Sequence, residues 1–248
     1  MRLALLHRRG LGSKWRSPIS LPENPPLKLI VFDVDGTLVD SQDLIVAAQG
    51  GTFRVHGLTP PSRERSLSIV GLSLLQAFRV LAPDGPAESL AEGYKTAFQR
   101  LRADPAYREP LFKGAAELLA ELAAREGVKL GIATGKSRRG VAHLLDRHGW
   151  AGIFATIQTA DDYPSKPHPA MLEKALAETG ADRRDSVMVG DSTFDMAMAR
   201  DAGIGAIGVS WGYHRPEALR ESGAEAIVHS YAELRRHVEE TLLAPSLV

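Results

Sequence analysis

The run Asp33-Val34-Asp35-Gly36-Thr37-Leu38 sets two carboxylates two residues apart, ahead of a glycine and a hydroxyl. Acids so spaced can converge on a ligand, although an Asp-Gly turn uses the same residues. A calcium loop is excluded, because its glycine and its distant glutamate would fall on Leu38 and Leu44. Thr134-Gly135-Lys136-Ser137 offers a hydroxyl and free amides that can hold phosphate oxygens; a helix cap would use the same groups. In Gly190-Asp191-Ser192-Thr193-Phe194-Asp195 two more acids stand four residues apart, one helical turn, so both can face one point. Capping by Asp191 is the plain alternative there. Lys166 sits stiffly between Ser165 and Pro167-His168-Pro169, whereas a lone lysine is ordinarily a solvated surface charge.

Gathered in one place, Asp33, Asp35, Asp191, Asp195 and Lys166 carry a formal charge of −3. Like charges ~4 Å apart repel by about 4 kcal/mol at an effective dielectric near 20, so such a cluster needs a divalent cation. Oxygen-only ligands without thiolates favour Mg²⁺ over zinc. A metal beside a lysine and a threonine makes an anion site, and phosphate is the natural guest.

These residues converge only if the right elements carry them. Short apolar runs at Leu27 to Phe32, Val128 to Ala133, Ser186 to Val189, Ala206 to Val209 and Glu225 to Val228 predict strands. Helical patterns lie between them, over Ala115 to Arg125, Ala170 to Glu178 and Phe194 to Ala202. The alternation predicts an α/β fold, a Rossmann-like parallel sheet covered on both faces with right-handed crossovers. The motifs then fall at the carboxyl edge of the sheet, where ligands bind. Between the first two strands only helical patterns occur, over Leu44 to His56, Leu67 to Leu81 and Leu90 to Leu101, joined by Pro60-Pro61 and Pro83-Asp84-Gly85-Pro86. That block predicts a small helical domain over residues 42–111, inserted into a core formed by residues 27–41 and 112–248.

The 248 residues suffice for one or two domains, and 44% hydrophobic with 24% charged residues is ordinary for a globular protein. Thirty basic and thirty acidic residues cancel, so nothing suggests nucleic acid or an anionic membrane as partner. No apolar run approaches the ~18 residues of a membrane span. The absence of cysteine excludes disulfides, thiolate metal sites and cysteine nucleophiles, and a reducing cytoplasm fits. Residues 1–22 hold Arg2, Arg8, Arg9, Lys14 and Arg16 with no acid, while the rest of the chain is −5. Residues 1–26 therefore read as a disordered leader or extension, closed by Pro22, Pro25 and Pro26.

The ordered set Asp33-x-Asp35-Gly-Thr, Thr134, Lys166 and Gly190-Asp191-x-x-x-Asp195 resembles the four motifs of the haloacid dehalogenase-like (HAD) hydrolases, from about Leu27 to the C-terminus. The helical block resembles the family's C1 cap. The Asp33–Ser41 run, Gly190-Asp191-Ser192 and Trp211-Gly212-Tyr213 are similar to those of phosphoglycolate phosphatases. The resemblance implies that Asp33 attacks phosphorus and forms an aspartyl-phosphate. Asp35 would protonate the leaving oxygen and then deprotonate the attacking water. It further implies that Thr134, Gly135 and Lys166 hold phosphoryl oxygens. Mg²⁺ would lie on Asp33, Asp191 and the Asp35 backbone carbonyl, with Asp195 behind them or bridged by water. The substrate would be a small phosphorylated metabolite, phosphoglycolate foremost, and the protein a monomer or homodimer. An acid at position 35 argues against dehalogenation, which has no alkoxide to protonate. A sugar phosphomutase, a pyrophosphatase and a catalytically silent binding protein are the alternatives.

Other signals carry less. Gly203-Ile204-Gly205-Ala206-Ile207-Gly208 spells a dinucleotide fingerprint, but with the helix before the strand, so Gly203 reads as a helix C-cap. His143 and His148 read as surface or capping groups, and His168 as structural. Arg63, Arg65 and the Ile69-Val70-Gly71-Leu72-Ser73 turn are where substrate selection is expected. Hinges are expected near Ser41 and Phe112-Lys113-Gly114.

Overall fold

The computed structural model describes residues 27–244; the leader expected over residues 1–26 lies outside them. Six parallel strands form one sheet: β1 (Lys28–Phe32), β2 (Val128–Thr134), β3 (Phe154–Thr159), β4 (Ser186–Gly190), β5 (Gly205–Val209) and β6 (Ala226–Val228). Their spatial order is β3-β2-β1-β4-β5-β6, with β1 between β2 and β4. Five helices separate β1 from β2, the first four being α1 (Gln42–Val55), α2 (Arg63–Leu67), α3 (Leu74–Leu81) and α4 (Ala87–Arg102). Six more follow: α5 (Ala115–Ala123), α6 (Arg138–His148), α7 (Ala170–Thr179), α8 (Thr193–Ala202), α9 (Pro216–Glu221) and α10 (Tyr231–Thr241).

Period-two alternation places the core. In β1, Leu29 and Val31 pack with Met171, Leu172 and Met196 on one face, while Ile30 and Phe32 join Leu118, Leu122 and Leu234 on the other. All four β1 side chains are fully buried, each worth about 1.5–3 kcal/mol of transfer free energy. Register sets the edge: Phe32 pairs with Ile132 of β2 and with Val189 of β4. Asp33, Thr134 and Asp191 therefore leave the sheet side by side, where strand order reverses around β1.

Two sequence expectations need correction. Strand β3 was not predicted, because its buried positions include Thr156, Gln158 and Thr159 rather than an apolar run. The Thr156 hydroxyl and the Gln158 amide both donate to Glu178 Oε2, at 2.7 and 2.8 Å, which lets polar residues occupy an edge strand. The helix expected over Leu67 to Leu81 begins only at Leu74, because α2 ends at Leu67 and a turn follows in which Gly71 adopts φ +106°. At the other glycine signal, Gly203 is a left-handed C-cap of α8 and β5 begins at Gly205.

The inserted helices bury a cluster of their own, in which the rings of Phe53, Phe78, Tyr94 and Phe98 follow one another at 6.2, 5.7 and 5.5 Å. The two chain crossings into this insert run antiparallel. Asp40 N–H donates to Pro110 O at 2.8 Å, and Phe112 N–H to Leu38 O at 3.0 Å. Among the described residues no helix is long and apolar enough to cross a membrane.

Candidate active site

Strand tips and helix starts deliver the acids. Asp33 follows β1, Asp191 follows β4, and Asp195 lies in the first turn of α8; all three are buried. One oxygen from each lies within 4.8 Å of the others. Asp191 Oδ1 accepts from the Thr37 hydroxyl at 3.0 Å and Oδ2 from Tyr213 N–H at 2.8 Å. The turn that supplies Thr37 is pinned in place, because its carbonyl accepts from Trp211 Nε1 at 3.0 Å and from the Tyr231 hydroxyl at 2.6 Å. Asp195 closes a capping box with Ser192: its Oδ2 accepts from the Ser192 N–H and hydroxyl at 3.0 and 2.6 Å.

Glycine makes this crowding possible. A Cβ on Gly36 would lie 2.2 Å from Asp191 Oδ2, on Gly212 2.1 Å from Asp191 Cβ, and on Gly190 2.4 Å from Asp195 Cγ. No side chain fits at any of the three.

Lys166 is 1% exposed, contrary to the surface role that a lone lysine usually takes. Its ammonium donates to Asp195 Oδ1 at 2.6 Å and lies 3.0 Å from Asp33 Oδ1. The second contact is out of hydrogen-bond alignment, so among the described residues Asp33 Oδ1 is a buried oxygen without a hydrogen-bond donor. Burial pushes the Asp33 carboxyl up to about 6, with Lys166 opposing and Asp195 and Asp35 adding to the rise. Asp191 is pushed well above the carboxylate range by burial, then by Asp33 and Asp195. Burial works against the Lys166 charge, but Asp195 and Asp33 outweigh it and hold the ammonium above its ordinary value.

These groups fit a hard divalent cation such as Mg²⁺. The donors are all oxygens, the charge around them is net negative, and Asp33 has an oxygen that no hydrogen bond among the described residues engages. Both Asp195 oxygens are already engaged, so it holds Ser192 and Lys166 in place behind that point. The Asp35 carboxylate stands apart from the cluster. Its Oδ1 accepts from the Ser41 hydroxyl at 2.6 Å and from Lys136 Nζ at 2.8 Å.

Thr134 is buried at the tip of β2, and its hydroxyl accepts from Lys136 N–H at 3.2 Å, which shapes the turn. Gly135 meets the insert, where a Cβ would lie 2.5 Å from Gly71 O and 2.6 Å from Leu72 O. A cavity of about 130 Å³ opens between insert and core, lined by Asp33, Asp35, Thr134, Phe78, Tyr94 and Phe98 among others. Ile69 to Leu72 also line it, whereas Arg63 and Arg65 do not. Arg63 bonds Gln42 and Asp43, and Arg65 bonds the carbonyls of Val80 and Leu81. His168 Nδ1 accepts from Ala170 N–H at 3.2 Å at the start of α7, a structural contact. His143 is exposed, and His148 packs on Trp150 at 5.1 Å between ring centroids.

Sequence reasoning passed over Lys136, Glu109 and Tyr213 as site residues. Lys136 does stand in the run quoted for its hydroxyl and amides, and a cation one step past a strand tip was the available signal. Glu109 carried none, since only folding brings it 3.1 Å from Lys136 Nζ.

Residues 30–209 match the family described as haloacid dehalogenase-like hydrolase. A probable phosphatase, IndB, of Dickeya dadantii is 35% identical over 83% of this chain and 91% of its own length. The pyrophosphatase PpaX of Bacillus pumilus is 32% identical, covering 84% of this chain and 94% of its own. Among solved structures, a hydrolase from Pseudomonas syringae superposes with a TM-score of 0.75 at 27% identity, covering 86% of this chain and 98% of that one.

Proposed function

The chain belongs to the haloacid dehalogenase-like hydrolases, relatives of it are named phosphatases, and on that footing we propose a Mg²⁺-dependent phosphatase acting on a small phosphomonoester. The observation that carries the reading is the buried Asp33 oxygen without a donor, set against Lys166 and two further buried acids. In this reading Asp33 attacks phosphorus in line and carries the phosphoryl group as an aspartyl-phosphate, a step that needs position more than basicity. Asp35 gives a proton to the leaving oxygen, then takes one from the water that hydrolyses the intermediate. The Thr134 hydroxyl, the Gly135 amide and the Lys166 ammonium bind the phosphoryl oxygens. Bound on Asp33, Asp191 and the Asp35 carbonyl, with Asp195 behind, Mg²⁺ would offset the charge on the transferring group.

The insert serves as a cap over residues 42–111, closing the cavity to bulk water around a small leaving group. Phosphoglycolate is the leading substrate, by likeness to relatives named phosphoglycolate phosphatase in Rhodospirillum rubrum and other bacteria. Inorganic pyrophosphate is the second reading, favoured by the PpaX relative and by Lys95 and Arg139 on the cavity wall. In either case the enzyme is cytoplasmic, which a cysteine-free chain accommodates.

Phosphate release from a panel holding 2-phosphoglycolate, sugar phosphates and pyrophosphate, with Mg²⁺ or EDTA, tests this for wild type and Asp33→Asn. Turnover that needs Mg²⁺ and vanishes in the variant is expected, and the best substrate assigns the name. Release that persists in Asp33→Asn would overturn the nucleophile.

A further inference from the structure

Lys136 makes two buried contacts that phosphate binding does not require. Its ammonium donates to Asp35 Oδ1 at 2.8 Å and to Glu109 Oε1 at 3.1 Å. Arg102 Nε lies 3.1 Å from Glu109 Oε2, so the charges alternate Asp35, Lys136, Glu109, Arg102 and cancel as a set. Lys136 and Glu109 side chains are only 7% and 5% exposed. The four come from separate pieces of chain: Asp35 follows β1, Lys136 follows β2, Glu109 lies on the strand of chain returning from the insert, and Arg102 ends α4. Phe98, also on α4, presents its ring to both cations, at 5.4 Å from Lys136 Nζ and 4.8 Å from the Arg102 guanidinium.

The contacts are one-sided at Asp35. Oδ1 takes both the Ser41 hydroxyl and Lys136, while Oδ2 has no hydrogen bond among the described residues; Asp35 itself lines the cavity. One oxygen is fixed and the other is left for a proton. Resting on the phosphatase reading, we propose that Lys136 is a positioning residue for Asp35. Glu109 and Arg102 make that positioning depend on a seated insert. Lifting α4 removes Arg102 and Phe98 from the far end of the chain of charges. Glu109 then loses its second partner, and Lys136 is free to leave Asp35. The leaving oxygen is thereby offered a proton only behind a closed lid, where bulk water cannot compete.

Leaving-group dependence separates this from a merely structural role. A p-nitrophenolate departs without a proton, whereas an alkoxide needs one, and kcat/KM reports the steps through phosphoryl transfer without hydrolysis of the intermediate. The measurement is kcat/KM for p-nitrophenyl, phenyl and alkyl phosphates at saturating Mg²⁺, for wild type, Lys136→Met, Lys136→Arg and Glu109→Gln. General-acid catalysis contributes about 10²–10⁴-fold. Lys136→Met and Glu109→Gln are therefore expected to lose about 10²-fold on the alkyl ester and less than about tenfold on p-nitrophenyl phosphate. Lys136→Arg should recover part of the alkyl loss, because it keeps the charge but not the point geometry. Equal losses across the series, or none, overturn the proposal while leaving the phosphatase reading intact. A wild type inactive on every ester, on 2-phosphoglycolate and on pyrophosphate overturns both. Glu109→Gln keeps the test valid if Lys136→Met fails to fold.

Discussion

Asp33 and Asp35 stand two residues apart in sequence, yet their carboxylates are held by different parts of the molecule. Asp33 faces Asp191, Asp195 and Lys166, which come from the tip of β4, the start of α8 and the loop before α7. Gly36, Gly190 and Gly212 leave no slack around those acids. Asp35 instead turns toward Ser41, Lys136 and, through Lys136, Glu109 and Arg102, so its surroundings are complete only with the insert in place. On the proposed mechanism, groups that hold a cation and a phosphoryl anion at fixed distances gain from a rigid frame. A group that trades protons gains from a partner that comes and goes with the lid. The difference also sets which changes should be lethal and which should be graded.

The largest expected effect lies on the rigid side. Asp33→Asn should lower phosphate release by about 10⁴-fold or more, the scale seen when a nucleophile is removed. Its metal-free fold should nonetheless gain a few degrees in Tm at pH 7.5, since the charge it deletes is buried against two like charges. A fall in Tm would break the view that this cluster stores repulsion. Gly212→Ala comes next. A methyl 2.1 Å from Asp191 Cβ must displace that carboxylate, costing about 1–3 kcal/mol in stability. Activity should fall by about 10²-fold with a raised Mg²⁺ requirement, because a misplaced ligand acts at a distance from the chemistry. Thermal melts and a Mg²⁺ titration of activity check both parts.

Metal and pH sharpen the same contrast. Asp33 titrates at about 6 in the fold, above the ordinary 3.8, so the metal-free protein carries no penalty from it below pH 3.8. The penalty grows as pH rises from 3.8 to 6, where only the unfolded chain ionises, and is complete above 6. Mg²⁺, as proposed, would bind the ionised form, so its stabilisation should be greatest above pH 6 and fade below about pH 5. At a hundredfold excess over Kd the gain is about 2.7 kcal/mol, or roughly 5–10 °C in Tm. Glu109→Gln should leave that gain unchanged, because the Glu109 network lies outside the acid cluster. A gain that shrinks in this variant would show the two regions to be coupled.

The rigid side is also the side that could be read in advance. Asp33, Asp191, Asp195 and Thr134 announce themselves because each ends a short apolar run or begins a helix, and local chemistry marks both places. Five of the strands are legible for the same reason: their apolar residues form uninterrupted runs that only a sheet covered on both faces can bury. Strand β3 is not legible, since Thr156 and Gln158 are buried through a bond to Glu178 some twenty residues on, which periodicity does not record. Neither is the charged chain around Asp35. Lys136 and Asp35 are separated by 101 positions, and Arg102 and Glu109 read as ordinary surface charges until the insert folds back. The break between α2 and α3 depends on Gly71 passing over Ser192 and Phe194, again a meeting of distant segments.

The smallest effect tests the seam between the two regions. In Gly135→Ala the added methyl would lie 2.5 Å from Gly71 O and 2.6 Å from Leu72 O, so the backbone turn that bears those carbonyls has to move as a unit. The turn that bears them is tied to the core by Ser73 N–H donating to Ser165 Oγ at 2.8 Å. The clash can be relieved by lifting that turn, so the acid cluster and the sheet keep their geometry. Tm should move by no more than about 2 °C, well short of Gly212→Ala, which has no such escape. Closure then becomes harder, and KM should rise by about three- to tenfold with p-nitrophenyl phosphate turnover little changed. Alkyl phosphates should suffer more, because a lid that seats poorly leaves Lys136 and Asp35 unaligned. A Tm loss as large as that of Gly212→Ala, with KM unmoved, would mean that the turn is part of the rigid frame and not of the lid.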